Sequence, residues 1–264
     1  MFAVTRFTDT AHAARALASV VADDLSAALT AHTRALLLVS GGRSPVAFFN
    51  ALRERPLDWK RIDISLADER GVAACDDAAN AALVRANLLV EAASAACWIA
   101  LMPDECVLAT QDEWQRVQQA VLLANADAAL GQPAVIVLGM GSDGHTASLF
   151  PDAPQWPQAR ITTDRYVALQ PGQAPHARVS LSLHALIQQQ RCYLWAVGAE
   201  KAATLETLAE LCDAVARGVA SAARLAQAGP LACLMADPDV MLEVFCCGAN
   251  DQEATRCRPV SAGR

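Results

Sequence analysis

The chain has 264 residues, 54% hydrophobic and 19% charged, enough apolar side chain to bury a large core and to exclude disordered, collagen-like and low-complexity classes. Lys and Arg number 21 against 28 Asp and Glu, a net charge of -7 without a basic run, which argues against a nucleic-acid or anionic-membrane surface. An anionic ligand must therefore be captured by a local site.

Short apolar runs alternate with longer alanine-rich segments along the chain, the pattern of βα units around a mostly parallel sheet. At the start, Arg6 and Asp9 interrupt any apolar stretch and no cleavage-site pattern follows, so no leader is expected. A helix is predicted near 10–31, a strand at 35–40 (ALLLVS), a helix at 45–54 and a strand at 62–67 (IDISLA). Helices at 77–91 and 111–129 flank a strand at 97–101, and a further strand covers 134–139 (AVIVLG). The stretch 151–157 (PDAPQWP) reads as a surface loop, because its three prolines oppose regular structure. Strands follow at 166–169, 179–182, 192–197 and 231–236, with helices at 183–189 and 200–216. The early strands are nearly all apolar, as strands covered on both faces are. The expectation is one α/β domain over residues 1–264, an open doubly wound, mostly parallel, Rossmann-like sheet with helices on both faces.

In such sheets ligands bind outside the carboxyl ends of the strands, and three of those loops are unusual. After ALLLVS comes Gly41-Gly42-Arg43-Ser44-Pro45, with Pro45 suited to the first helical position. Converging glycine N–H groups, the hydroxyls of Ser40 and Ser44 and a helix N-terminus suit a phosphate monoester, whereas the dinucleotide and Walker glycine patterns are absent. After IDISLA stand Asp68-Glu69-Arg70; there a carboxylate can orient a water or hydroxyl and an arginine can pair a phosphate. After AVIVLG comes Met140-Gly141-Ser142-Asp143-Gly144-His145-Thr146. A histidine held in a glycine-rich turn two residues beyond an aspartate is placed as a general base. His12, His32, His176 and His184 lack such a setting and read as surface or loop residues.

Two basic residues complete the set. Arg178 opens the strand-like RVSLS, and Lys201, one of two lysines in the chain, falls in the first turn of a helix. A lysine there opposes the helix dipole, so a neighbouring anion would account for it. The nine cysteines show no CxxC spacing and sit mostly among apolar neighbours; buried free thiols are expected rather than disulfides or a zinc site. The segment from Phe245-Cys246-Cys247 to Cys257 is read as a frayed tail. No window approaches the length of about 18 uncharged apolar residues that a spanning helix needs, and a soluble, cytoplasmic protein is expected.

Taken in order, SGGRSP at 40–45, DER at 68–70, Asn80 before Leu83 and Asn87, GMGSDGHTASLFP at 139–151, RVSLS at 178–182 and GAEK at 198–201 resemble the 6-phosphogluconolactonase family. Related glucosamine-6-phosphate deaminases share the glycine loop and DGH but continue differently after it. The resemblance implies an α/β fold of the deaminase/lactonase type and an enzyme of the oxidative pentose phosphate pathway that hydrolyses 6-phospho-D-glucono-1,5-lactone without metal or organic cofactor. Carried over, the family's glycine loop falls on Ser40, Gly41, Gly42 and Ser44, its acid-arginine pair on Asp68 and Arg70, its catalytic histidine on His145 and its anchors on Arg178 and Lys201. Two departures stand out: Arg43, where many members have serine and which would add phosphate affinity, and Gly71-Val72 after DER, where a tryptophan is common.

The expected mechanism has His145 activate water, Asp143 or Asp68 orient the imidazole or water, and glycine-turn N–H groups or Arg70 meet the oxyanion. The phosphate would be gripped by the Gly41-Gly42 loop with Arg43, Arg178 and Lys201. The partner is a sugar phosphate lactone, with no nucleic acid and no membrane, and the protein a monomer or homodimer. Two rivals remain: an amino-sugar-phosphate deaminase or isomerase with Asp68 as carbon base, and a non-catalytic sugar-phosphate sensor.

Overall fold

The computed structural model describes residues 2–42, 44–103, 112–189 and 191–248. Seven parallel strands form one sheet in the order β1-β10-β9-β6-β2-β3-β5: β1 (Phe2–Phe7), β2 (Ala35–Val39), β3 (Ile62–Leu66), β5 (Cys97–Trp98), β6 (Val135–Gly139), β9 (Cys192–Val197) and β10 (Leu242–Cys247). The central strands β2 and β9 are buried at every position, because helices cover both faces, and the expected doubly wound architecture is present. Helix α1 (Thr10–Ala31) shows how the cover is made. Asp9 accepts the Ala11 and His12 N–H groups at its start, and the stripe Ala13, Leu17, Val21 and Leu25 packs inward at helical spacing.

Among the described residues three further strands, β4 (Asp68–Arg70), β7 (Tyr166–Leu169) and β8 (Arg178–Leu181), form a separate antiparallel sheet in the order β4-β8-β7. The sequence reading put 166–169 and 179–182 in the single main sheet and 68–70 in the loop after β3; all three instead pair with one another in this second sheet. A single residue, Ala67, turns β3 into β4; its N–H donates to Val39 and its carbonyl accepts from Leu181. The small sheet therefore stands directly over the carboxyl end of the large one. Helices α2 (Val46–Arg53), α3 (Asn80–Asn87) and α4 (Glu113–Ala126) fall within the expected ranges.

Several expectations require correction. Residues 231–236 are not a strand but belong to α9 (Pro230–Ala236). Gly229 breaks the chain at φ 111, Pro230 occupies the first turn, and Leu231, Ala232, Leu234 and Met235 are all buried. Residues 242–247, assigned to a frayed tail, form β10 between β1 and β9. The proline-rich stretch carries α5 (Trp156–Ala159), with Pro157 in the first turn where its missing N–H costs nothing, and Trp156 and Ala153 are buried. The strand expected at 97–101 contracts to two residues.

Among the described residues the cysteines are free thiols. Cys192, Cys212, Cys246 and Cys247 are buried, as expected, whereas Cys75 and Cys97 are exposed; Cys106 and Cys257 lie outside the described residues. Burial pushes the Cys192 thiol up to about 12, which keeps it protonated and unreactive. No described helix is long and apolar enough to cross a membrane.

Candidate active site

A cleft of about 290 Å³ opens where the carboxyl ends of β2 and β6 meet the small sheet. Ser40, Gly41, Gly42, Ser44, Asp68, Arg70, His145, Arg178 and Lys201 all line it. Residues up to 161 positions apart in sequence, Ser40 to Lys201, thus converge. Asp143 stands beside His145 rather than on the lining, and Arg43 lies outside the described residues.

The glycine loop is shaped by close approach. Gly42 adopts φ +89, a region side-chain-bearing residues disfavour, and a Cβ on Gly41 would overlap the Asn80 amide. Ser44 follows; its carbonyl accepts from the Trp195 indole (2.8 Å) and its hydroxyl from Lys201 Nζ (2.9 Å). Helix α2 begins one residue later than expected, at Val46, with Pro45 as its cap. Lys201 comes from the first turn of α7 (Ala199–Ala216), so Ser44 links the N-terminal ends of two helices. Two helix N-termini, a lysine and a serine hydroxyl thus lie at one end of the cleft, an arrangement whose chemistry suits an anion.

On β4, alternation sends neighbouring carboxylates to different tasks. Glu69 is buried against the start of α3: Oε1 accepts the N–H groups of Arg70 (2.7 Å) and Asn80 (2.8 Å), and Oε2 that of Ala81 (2.8 Å). Burial pushes its carboxyl up to about 6, while these donors hold it down. Asp68 faces the cleft, and its Oδ2 accepts the Ser148 hydroxyl at 2.5 Å. Arg70 Nη1 donates to Ala78 O (2.6 Å). Gly71, the departure noted after DER, has no room for a side chain: a Cβ there would meet Val117 Cγ2 at 2.7 Å and Glu113 Cγ at 2.8 Å.

The loop after β6 is a compact turn. Gly141 N–H donates to His145 O (3.0 Å), Gly144 takes φ +82, and Thr146 Oγ1 donates to Gly139 O (2.7 Å). Within it His145 Nδ1 lies 2.6 Å from Asp143 Oδ1, and its ring stacks on Phe150 with centroids 4.1 Å apart. This contact holds the Asp143 carboxyl below the usual range. An Nδ1–H donated to a carboxylate leaves Nε2 as the nitrogen with a free lone pair. Of the two aspartates considered, Asp143 contacts the imidazole and Asp68 contacts Ser148.

Arg178, on β8, pairs in antiparallel register with Arg70. It is only 6% exposed; Nη2 donates to Pro175 O (3.0 Å), Nη1 to Ser148 Oγ (3.4 Å), and the guanidinium lies 5.7 Å from the Phe150 ring centroid. Burial pulls its pKa below the ordinary value, with Asp68 opposing that shift. Sequence reading missed three contributors: Asn80, whose Nδ2 donates to Asp68 O (2.8 Å), Glu69 as the cap of α3, and Ser148 between Asp68 and Arg178. Asn80 and Ser148 lie inside the quoted motifs, but nothing local in sequence marks what they touch.

Residues 8–228 match the family of glucosamine-6-phosphate isomerases/6-phosphogluconolactonase. The chain is 44% identical over 216 residues to a 6-phosphogluconolactonase of Neisseria meningitidis serogroup B, covering 80% of this chain and 89% of the relative. It is 43% identical over 198 residues to the Pseudomonas aeruginosa 6-phosphogluconolactonase, covering 74% and 80%. The crystal structure of a 6-phosphogluconolactonase from Shewanella baltica aligns at TM-score 0.80 and 31% identity, over 94% of this chain and 98% of that one. A monomeric glucosamine-6-phosphate deaminase aligns at TM-score 0.66 and 16% identity, over 97% and 99%, which shows the fold alone.

Proposed function

The chain belongs to the glucosamine-6-phosphate isomerase/6-phosphogluconolactonase family, and from that premise we propose that it hydrolyses 6-phospho-D-glucono-1,5-lactone to 6-phospho-D-gluconate, the lactonase step of the oxidative pentose phosphate pathway. The observation that carries this reading is the Asp143–His145 pair, 2.6 Å apart, beside a cleft whose other walls hold Arg70, Arg178 and Lys201. A lactone is a reactive ester, so the chemistry asks for a positioned water, a base and a grip on the phosphate.

His145 Nε2 takes a proton from water as the water oxygen bonds to the lactone carbonyl carbon, and Asp143 stabilises the resulting imidazolium. The oxyanion is met by glycine-turn N–H groups or by Arg70. When the tetrahedral species collapses, the bond to the ring oxygen breaks and that oxygen takes the proton back from Nε2. The new carboxylic acid then loses its proton to solvent. Gly41, Gly42, Ser44 and Lys201, with Arg178, hold the phosphate, so remote binding energy orients the carbonyl. Asp68, fixed by Ser148 and adjoining Asn80, faces the sugar hydroxyls or the attacking water.

The test follows the disappearance of freshly made lactone, with spontaneous hydrolysis subtracted, for wild type and His145→Ala. His145→Ala is expected to lower kcat by about 10²- to 10⁴-fold with little change in KM, because the base acts mainly in the transition state. A variant with near-normal turnover would remove His145 from the mechanism. Absence of acceleration by the wild type would reject the lactonase reading and lead to an assay for ammonia release from glucosamine 6-phosphate.

A further inference from the structure

Helix α4 contributes no residue to the cleft lining, yet its first turn grips the chain beside both cleft arginines. Glu113 Oε1 accepts the Ala177 N–H at 2.8 Å and lies 3.2 Å from His176 Nδ1. Ala177 is fully buried and immediately precedes Arg178. On the neighbouring strand, Gly71 immediately follows Arg70, donates its N–H to Ala177 O (2.9 Å) and accepts from Arg116 Nη2 (3.1 Å). The space above Gly71 is filled by the Glu113 stem and Val117. One carboxylate therefore ties the start of β8 to α4, and the same side chain packs on the end of β4. His176 stands at φ 71, a left-handed conformation costly for a residue with a side chain, and its ring is paired with Glu113 there. That bend lies two residues before Arg178, the first residue of β8.

We propose that Glu113 is a positioning residue for Arg178: through its bond to Ala177 and its pair with His176 it holds the guanidinium in the phosphate-binding geometry. The proposal rests on the reading of the cleft as a sugar-phosphate site, and it adds a residue that never touches the substrate. Its effect must pass through Arg178, which separates it from a general stabilising role. A stabilising contact would change the melting temperature and leave the kinetics of the folded fraction alone.

The experiment is steady-state hydrolysis of the lactone by Glu113→Ala, Glu113→Gln, Arg178→Ala and the double variant Glu113→Ala/Arg178→Ala, each confirmed folded by circular dichroism. Glu113→Ala is expected to raise KM about tenfold with kcat within about twofold. Glu113→Gln keeps an oxygen for the Ala177 N–H and is expected to stay within about threefold of the wild-type KM. On top of Arg178→Ala, removing Glu113 should add less than about twofold. An unchanged KM in Glu113→Ala, or a full tenfold loss repeated in the Arg178→Ala background, overturns the positioning role. Should Glu113→Ala fail to fold, His176→Ala carries the test, with a KM increase of about threefold that vanishes without Arg178; no increase overturns the role. A wild type that does not hydrolyse the lactone rejects the reading of the cleft and this role with it, whereas an active wild type with an insensitive Glu113 rejects the role alone.

Discussion

The two ends of the parallel sheet carry cavities of opposite character. At the amino ends of β2, β6 and β9 a groove of about 760 Å³ is lined by Asp24, Arg34 and Arg191 among alanines. Its charges are satisfied locally: Arg34 bonds Asp63 and the Lys60 carbonyl, and Asp24 accepts the Tyr193 hydroxyl at 2.5 Å with Arg191 Nε at 3.3 Å. At the carboxyl ends the cleft is less than half that volume, about 290 Å³. There Ser40 Oγ, Asn80 Oδ1, Arg70 Nε and Arg178 Nε are buried without a hydrogen-bond partner. Volume does not distinguish a site from a groove. What distinguishes it is convergent polar chemistry that the protein leaves unsatisfied, at the end of the sheet where helix N-termini point.

The sharpest way to break that contrast is at the end of the cleft that Ser44 and Lys201 line. Lys201→Ala removes the ammonium that reaches Ser44 and is expected to raise KM about 10- to 100-fold with kcat much less affected, as loss of a charge-assisted phosphate contact does. An unchanged KM would place the phosphate elsewhere in the cleft.

Glu69 offers a second, smaller effect, read as stability against pH. Its folded pKa of about 6 lies above the ordinary value of 4.5, so the folded state holds the extra proton, and this group's contribution to stability falls as pH rises from 4.5 through about 6. Glu69→Gln should lose roughly 1–3 kcal/mol at neutral pH, because an amide nitrogen replaces the oxygen that receives the Ala81 N–H. It should also flatten the pH dependence in that window. Thermal midpoints of both proteins between pH 4 and 8 check this, and an identical slope would show that Glu69 does not titrate there.

The smallest effect belongs to the opposite groove. Arg34→Ala breaks a half-exposed pair with Asp63 and should cost at most about 1 kcal/mol in chemical unfolding, with kcat and KM unchanged. A kinetic change would mean that the two ends of the sheet communicate.

Much of the fold and most of the cleft are legible in the sequence, for identifiable reasons. ALLLVS, IDISLA, AVIVLG and CYLWAV announce strands because a parallel strand covered on both faces needs apolar side chains at nearly every position. The loops after them stand out because glycines and polar residues follow such runs abruptly. Other segments are ambiguous in kind: 231–236 is a short apolar run equally suited to a buried strand or helix, and only the Gly229-Pro230 break and packing on all sides decide for helix. LEVFCC at 242–247 differs in a further way. Its identity as a strand depends on partners supplied by residues 2–7 and 192–197, over 40 positions away at the nearest.

By itself the sequence determined the class of fold, the strand ends that bear chemistry and the identity of the histidine, glycine and basic residues gathered there. These depend on local periodicity and on residue types whose chemistry travels with them. The tertiary structure alone decided that β4, β8 and β7 form a second sheet over the first, that Asp143 rather than Asp68 meets His145, and that Asn80, Ser148, Glu69 and Glu113 brace the groups on show. Asp143 and His145 are two positions apart, but the choice between the two aspartates is made by the folded turn, and the other contacts join residues 11 to 80 positions apart; no local pattern records them, because a hydrogen-bond partner is chosen by where the folded backbone places it rather than by its neighbours along the chain.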